Sequence, residues 1–61
     1  MSIYTLTVFD KTGNKLYDDN FKAESELEAK TKGEALLKEK GFEDHTHRCV
    51  SSAGKLVLFH S

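Results

Sequence analysis

Hydrophobic and polar residues alternate along residues 3–9, which read Ile-Tyr-Thr-Leu-Thr-Val-Phe. This period of two puts Tyr4, Leu6 and Val8 on one face, because successive side chains of a β-strand point to opposite sides. The pattern therefore predicts a first strand, β1, with one buried face.

A second strand, β2, is predicted over about residues 15–22. It follows the segment Asp-Lys-Thr-Gly-Asn, in which Gly and Asn tolerate the positive φ of a tight turn. Its apolar residues are interrupted by Asp18, Asp19 and Asn20, which are poor strand formers. Charged strands are typical of a sheet edge, so β1 and β2 are expected to form a hairpin with β2 outermost.

The middle of the chain has the pattern of an amphipathic helix, α1, over residues 26–40. Ser25 and Glu28 have the spacing of a capping box, and Gly41 stands where a left-handed residue ends a helix. The apolar stripe that remains to face a sheet consists of Ala29, Gly33, Leu36 and Leu37. We interpret Gly33 as a packing feature that lets the helix approach the strands closely.

The end of the chain reads as a second hairpin, with β3 over residues 45–50 and β4 over residues 55–60. Between them stands Ser-Ser-Ala-Gly, a small-residue connection that ends in Gly. Strand β4 lies in the densest apolar run of the sequence, Leu-Val-Leu-Phe.

These elements predict a single α+β domain, residues 1–61, with the order ββαββ and one helix on one face of a four-stranded sheet. Because β1 and β4 are the most apolar strands, they are expected to lie side by side in the middle as a parallel pair. The result is a mixed sheet of order 2-1-4-3, a topology that resembles the β-grasp arrangement of protein G-like domains. A fold shared by many functions implies none of them.

The sharpest chemical pattern is His45-x-His47-x-Cys49, because alternate strand residues share a face and imidazole and thiolate bind transition metals. In the expected hairpin register, His60 lies opposite His45 and Cys49 lies opposite Leu56. His45 and Cys49 are ~13 Å apart along a strand, so one ion would hardly bind all four side chains. A buried, unreactive Cys49 is the favoured interpretation. A zinc-type site that draws its ligands from His45, His47, Cys49 and His60 is the alternative, and one ion could bind His45 with His47 or His45 with His60.

The net charge is −1, from nine basic and ten acidic side chains. This near balance favours neither nucleic acid nor an anionic membrane as a partner. A 61-residue chain has little material for the walls of a cleft, and no catalytic triad stands out. We therefore expect no enzymatic activity, no small-molecule substrate and no cofactor, with zinc as the alternative ligand.

The surplus of apolar residues in β1 and β4 suggests how the domain works. One helix covers one sheet face, which leaves Ile3, Phe9, Val57 and Phe59 on the open face. Exposed apolar clusters can mark interaction surfaces, although such residues also suit ordinary strands. The main expectation is a non-catalytic binding domain that contacts a protein partner, or a second copy as a homodimer, through the open face or an edge strand.

The single cysteine excludes an intramolecular disulfide, on which small secreted domains usually depend. The alternating N-terminal segment reads as a strand and not as a signal peptide. No segment has the roughly 20 apolar residues of a membrane span. A cytoplasmic location is therefore expected.

Three segments carry a family resemblance. They are Tyr-Thr-Leu-Thr-Val-Phe at 4–9, Thr-His-Arg-Cys at 46–49 and Gly-Lys-Leu-Val-Leu-Phe-His at 54–60. Together they resemble the YhzD-like family of small proteins from Bacillus-type bacteria over nearly the whole chain. The resemblance implies a bacterial cytosolic protein and supplies no catalytic or binding residues.

Overall fold

A computed structural model describes residues 2–60 and contains the five predicted elements in the predicted order. They are β1 Ser2–Phe9, β2 Lys15–Ala23, α1 Glu26–Lys40, β3 Thr46–Ser51 and β4 Leu56–His60. The α+β class, with one helix and one four-stranded sheet, is confirmed.

The order of the strands differs from the expectation. The sheet runs β2-β1-β3-β4, and every neighbouring pair is antiparallel. The predicted order 2-1-4-3, with its parallel β1–β4 pair, is therefore wrong. The β-grasp prediction depended on that order and gains no support from the observed one.

The position of β3 beside β1 follows from which side chains are buried in the middle of the sheet. Strand β3 pairs with β1 without interruption from Tyr4 to Phe9 and buries Cys49 completely and His47 almost completely. Strand β4 leaves Leu56 and Phe59 largely exposed. Total apolar content favoured β4 for the centre, but the centre requires a strand whose alternate side chains all fit beneath the helix.

The helix has the predicted bounds because both of its ends are capped. The Ser25 hydroxyl accepts a hydrogen bond from the Glu28 amide at 3.1 Å. The Glu28 carboxylate in turn accepts from the Glu24 amide at 3.2 Å, one residue earlier than a standard capping box. At the other end, Gly41 adopts the left-handed conformation with φ 74°.

The core lies between α1 and one face of the sheet. Its buried hydrophobic side chains are Tyr4, Leu6, Val8, Ala23, Ala29, Leu37 and Cys49. Gly33 faces this layer, and a Cβ atom built on it would lie 2.8 Å from Leu58 Cδ1. That distance is too short for two carbon atoms, so a side chain at residue 33 would displace the Leu58 methyl group.

This contact predicts coupling between Gly33 and Leu58. Gly33→Ala should bring no net stability in the wild-type chain, because the gain of about 1 kcal/mol in helix propensity is offset by displacement of Leu58. In a Leu58→Val background, which removes the Cδ1 atom, the same change should stabilise by about 1 kcal/mol. Urea unfolding of the four proteins, followed by circular dichroism, measures the difference. An equal effect of Gly33→Ala in both backgrounds would contradict the contact.

Candidate functional site

The sheet face opposite α1 carries a patch of exposed apolar side chains. Leu56 lies opposite Val50 and Phe59 lies opposite Arg48, so all four share this face. Leu56 is 50% exposed and Phe59 is 60% exposed. On β1, Ile3 is 38% exposed and alternates with buried side chains. We call the exposed Leu56, Phe59 and Ile3, together with the half-buried Val50, the open-face patch.

A bulge decides which β4 residues reach the open face. The register of β3 and β4 shifts between Cys49 and Val50, which inserts Val57 as an extra residue on β4. Strict alternation would put Val57 beside Phe59 in the interaction surface predicted from sequence. With the bulge, Leu56 takes that place, and the half-buried Val57 packs against the core. The fourth predicted residue, Phe9, is half-buried.

The two edges of the sheet differ in charge. The outer strand β2 contains Lys15, Asp18, Asp19 and Lys22. The other outer strand, β4, reads Leu-Val-Leu-Phe-His and contains no Lys, Arg, Asp or Glu. An edge strand presents unpaired amide and carbonyl groups, and charged side chains are the usual protection against pairing with another chain. Strand β4 lacks that protection.

Two histidines meet at the end of the β3–β4 ladder. His60 lies opposite His47, and their ring centroids are 5.3 Å apart. The expected pairs His45–His60 and Cys49–Leu56 are wrong by two residues. The bulge accounts for one residue of the difference, and the turn accounts for the other because Ser51 already pairs with Lys55. His47 and His60 line a groove of about 270 Å³ that Glu34 and Glu43 also line.

The other two predicted metal ligands lie apart from this pair. His45 precedes β3, and its ring packs edge-on against Phe42 with centroids 5.3 Å apart. Cys49 is fully buried opposite Leu58, and burial raises the pKa of its thiol. Between residues 2 and 60, no three His, Cys, Asp or Glu side chains are arranged to hold a metal ion.

The Asp10 carboxylate and the Ser51 hydroxyl form hydrogen bonds within the two hairpin turns. Asp10 accepts hydrogen bonds from the Thr12 hydroxyl and from the Thr12 and Asn14 amides, and these bonds lower the pKa of its carboxyl. The Ser51 hydroxyl accepts from the Lys55 amide at 3.0 Å. Both side chains stabilise turns.

The family model of YhzD-like proteins matches residues 1–61. The chain belongs to the YhzD-like family. It is 62% identical over 60 residues to a Bacillus subtilis (strain 168) protein named "Uncharacterized protein YhzD", and the alignment covers 98% of each chain. No solved structure matches. The resemblance stated from the three sequence segments is confirmed.

Within residues 2–60 of this YhzD-like chain, there is no helix with the length and hydropathy to cross a membrane. The described residues of this family member form three surface features: the open-face patch, the uncharged β4 edge and the His47–His60 groove. Sequence reasoning missed Leu56 as a surface residue and the opposition of His47 and His60. The first omission follows from the bulge, and the second follows from the bulge together with the Ser51–Lys55 pairing at the turn.

The burial of Cys49 predicts slow thiol chemistry in the native state. A thiol-specific reagent such as Ellman's reagent should label Cys49 only as fast as the domain opens, because the thiol is fully buried and its raised pKa disfavours the thiolate. An Ala53→Cys variant, with its new thiol in the exposed turn, serves as the accessible control. Rapid stoichiometric labelling of Cys49 without denaturant would contradict this assignment.

Proposed function

We propose that this domain is a non-catalytic protein-interaction module whose binding element is the β4 edge together with the open-face patch. It binds an extended segment of a protein chain, from a partner or from a second copy, by adding that segment as a fifth strand. Main-chain hydrogen bonds along β4 supply affinity, and alternate side chains of the segment supply specificity.

The single observation that carries this proposal is the contrast between the two edges. Of the nine residues of β2, four are charged, and two of them form the Lys15–Asp18 ion pair at 3.0 Å. The five residues of β4 include three aliphatic side chains and Phe59. An apolar edge of this kind pairs readily with an extended chain, whereas the edge of β2 discourages it.

The open-face patch supports the same site because it adjoins the β4 edge. Leu56 and Phe59 belong to β4 itself, and Val50 extends the apolar surface onto β3. Arg48 lies opposite Phe59 and adds a polar group to the surface. An apolar centre with an arginine nearby is common at protein interfaces.

A cytoplasmic location is part of the proposal. The only cysteine is fully buried and free, and the core forms without a disulfide. Structural stability that does not depend on an oxidised cysteine suits a reducing compartment.

The proposal predicts that charge on β4 abolishes binding. Leu56→Lys places an ammonium group at the proposed interface and should remove the bound chain while leaving the fold intact, because Leu56 is already half-exposed. The tagged wild-type domain and the tagged variant are each used as bait in a bacterial lysate that also contains untagged copies of the chain. The proteins that each bait retains are then identified by mass spectrometry and compared.

Leu27→Lys is the matched control, because Leu27 is 75% exposed on the helix and its substitution adds the same charge. The expected result is one species retained by the wild type and by Leu27→Lys but lost with Leu56→Lys. An identical set of retained proteins for all three baits, or loss with Leu27→Lys alone, would contradict the proposal.

A further inference from the structure

We propose that His47 and His60 form a binding site for a divalent transition-metal ion of the type that prefers imidazole, such as Zn²⁺. The site lies in the groove between α1 and the β3–β4 hairpin. It differs from the His45, His47, Cys49 and His60 set expected from sequence, and it does not depend on the β4 interaction.

The separation of the two rings fits a shared ion. Zinc binds histidine nitrogen at ~2.0–2.1 Å in tetrahedral geometry, which places the centroids of two ligating rings roughly 5.2 Å apart. The His47 and His60 centroids are 5.3 Å apart. Each ring is free to turn about its metal–nitrogen bond, so their mutual tilt of 32° is compatible with this geometry.

A hydrogen bond prepares His47 as a ligand. Its Nδ1 atom lies 2.9 Å from the backbone carbonyl oxygen of His45, and a carbonyl oxygen only accepts. Nδ1 therefore carries the proton and donates, which leaves the lone pair on Nε2 of the neutral ring. The same arrangement, with one ring nitrogen held by a carbonyl, orients metal-binding histidines in general. The ring is also held firmly, because His47 is only 8% exposed.

The groove offers oxygen ligands as well. Glu34 on α1 and Glu43 after the helix line it together with the two histidines. No third ligand is already in place among residues 2–60, so the two imidazoles bind first and water or a reoriented carboxylate completes the coordination. Binding with two fixed ligands is weaker than at a four-residue structural zinc site.

Cys49 and His45 have other roles in this arrangement. Cys49 is fully buried opposite Leu58 and does not line the groove. His45 contributes its backbone carbonyl to the His47 ring, and its own ring packs on Phe42. The pairing of His60 with His47, and not with His45 as expected, follows from the observed register.

The test is a titration of the untagged domain with Zn²⁺. Isothermal titration calorimetry measures the heat of binding, and NMR records the histidine side-chain nitrogens. We expect one ion per chain, with shifts of His47 and His60 signals. His60→Gln should weaken binding at least tenfold, and it should preserve the fold because His60 is exposed. His45→Gln, which keeps the backbone carbonyl, should change affinity less than twofold.

Three results would overturn the proposal. They are no heat and no histidine shifts at stoichiometric Zn²⁺, equal binding by the wild type and His60→Gln, or a loss with His45→Gln as large as that with His60→Gln. The capture experiment with Leu56→Lys tests the proposed protein interaction at β4 and does not measure zinc binding. Failure of the zinc proposal can therefore be told apart from failure of the interaction proposal.

Discussion

The antiparallel pairing of β3 with β1 is the constraint on which the rest of the structure depends. It places Cys49 opposite Leu6 and His47 opposite Val8, and these four side chains fill the middle of the buried face. Because consecutive strands β3 and β4 remain a hairpin, β4 is then displaced to the edge. The most apolar strand of the chain thus becomes an exposed edge, which is the edge that we propose binds another chain.

The bulge in β4 is a second constraint on the structure. One extra residue reverses the side-chain alternation, so that Leu58 faces Gly33 beneath the helix while Leu56 turns to the open face. Together with the Ser51–Lys55 pairing at the turn, this shift brings His60 opposite His47. The position of Leu56 in the open-face patch is therefore a consequence of the bulge, and the histidine pair is a consequence of the bulge and the turn together.

Much of the fold follows from the sequence because local signals determine it. The helix ends at residues whose chemistry fixes them, Ser25 at one end and Gly41 at the other, and β1 alternates without interruption. These features need no knowledge of the rest of the chain.

The strand order and the candidate site could not be predicted in the same way. Whether β3 or β4 lies beside β1 depends on which set of alternate side chains packs beneath α1, and apolar content alone favoured the wrong strand. No residue type marks the bulge at Val57, and without it the register gives the wrong partner for His60. Long-range packing and register are the properties that local patterns specify least.

The most direct test of this account is the set of nuclear Overhauser effects between strands in solution. The account predicts cross-strand contacts between the backbone protons of β1 and β3, centred on the Leu6–Cys49 pair, and none between β1 and β4. Contacts between β1 and β4 in a parallel arrangement would contradict it, since β4 would then lie in the middle of the sheet and its edge would no longer be free.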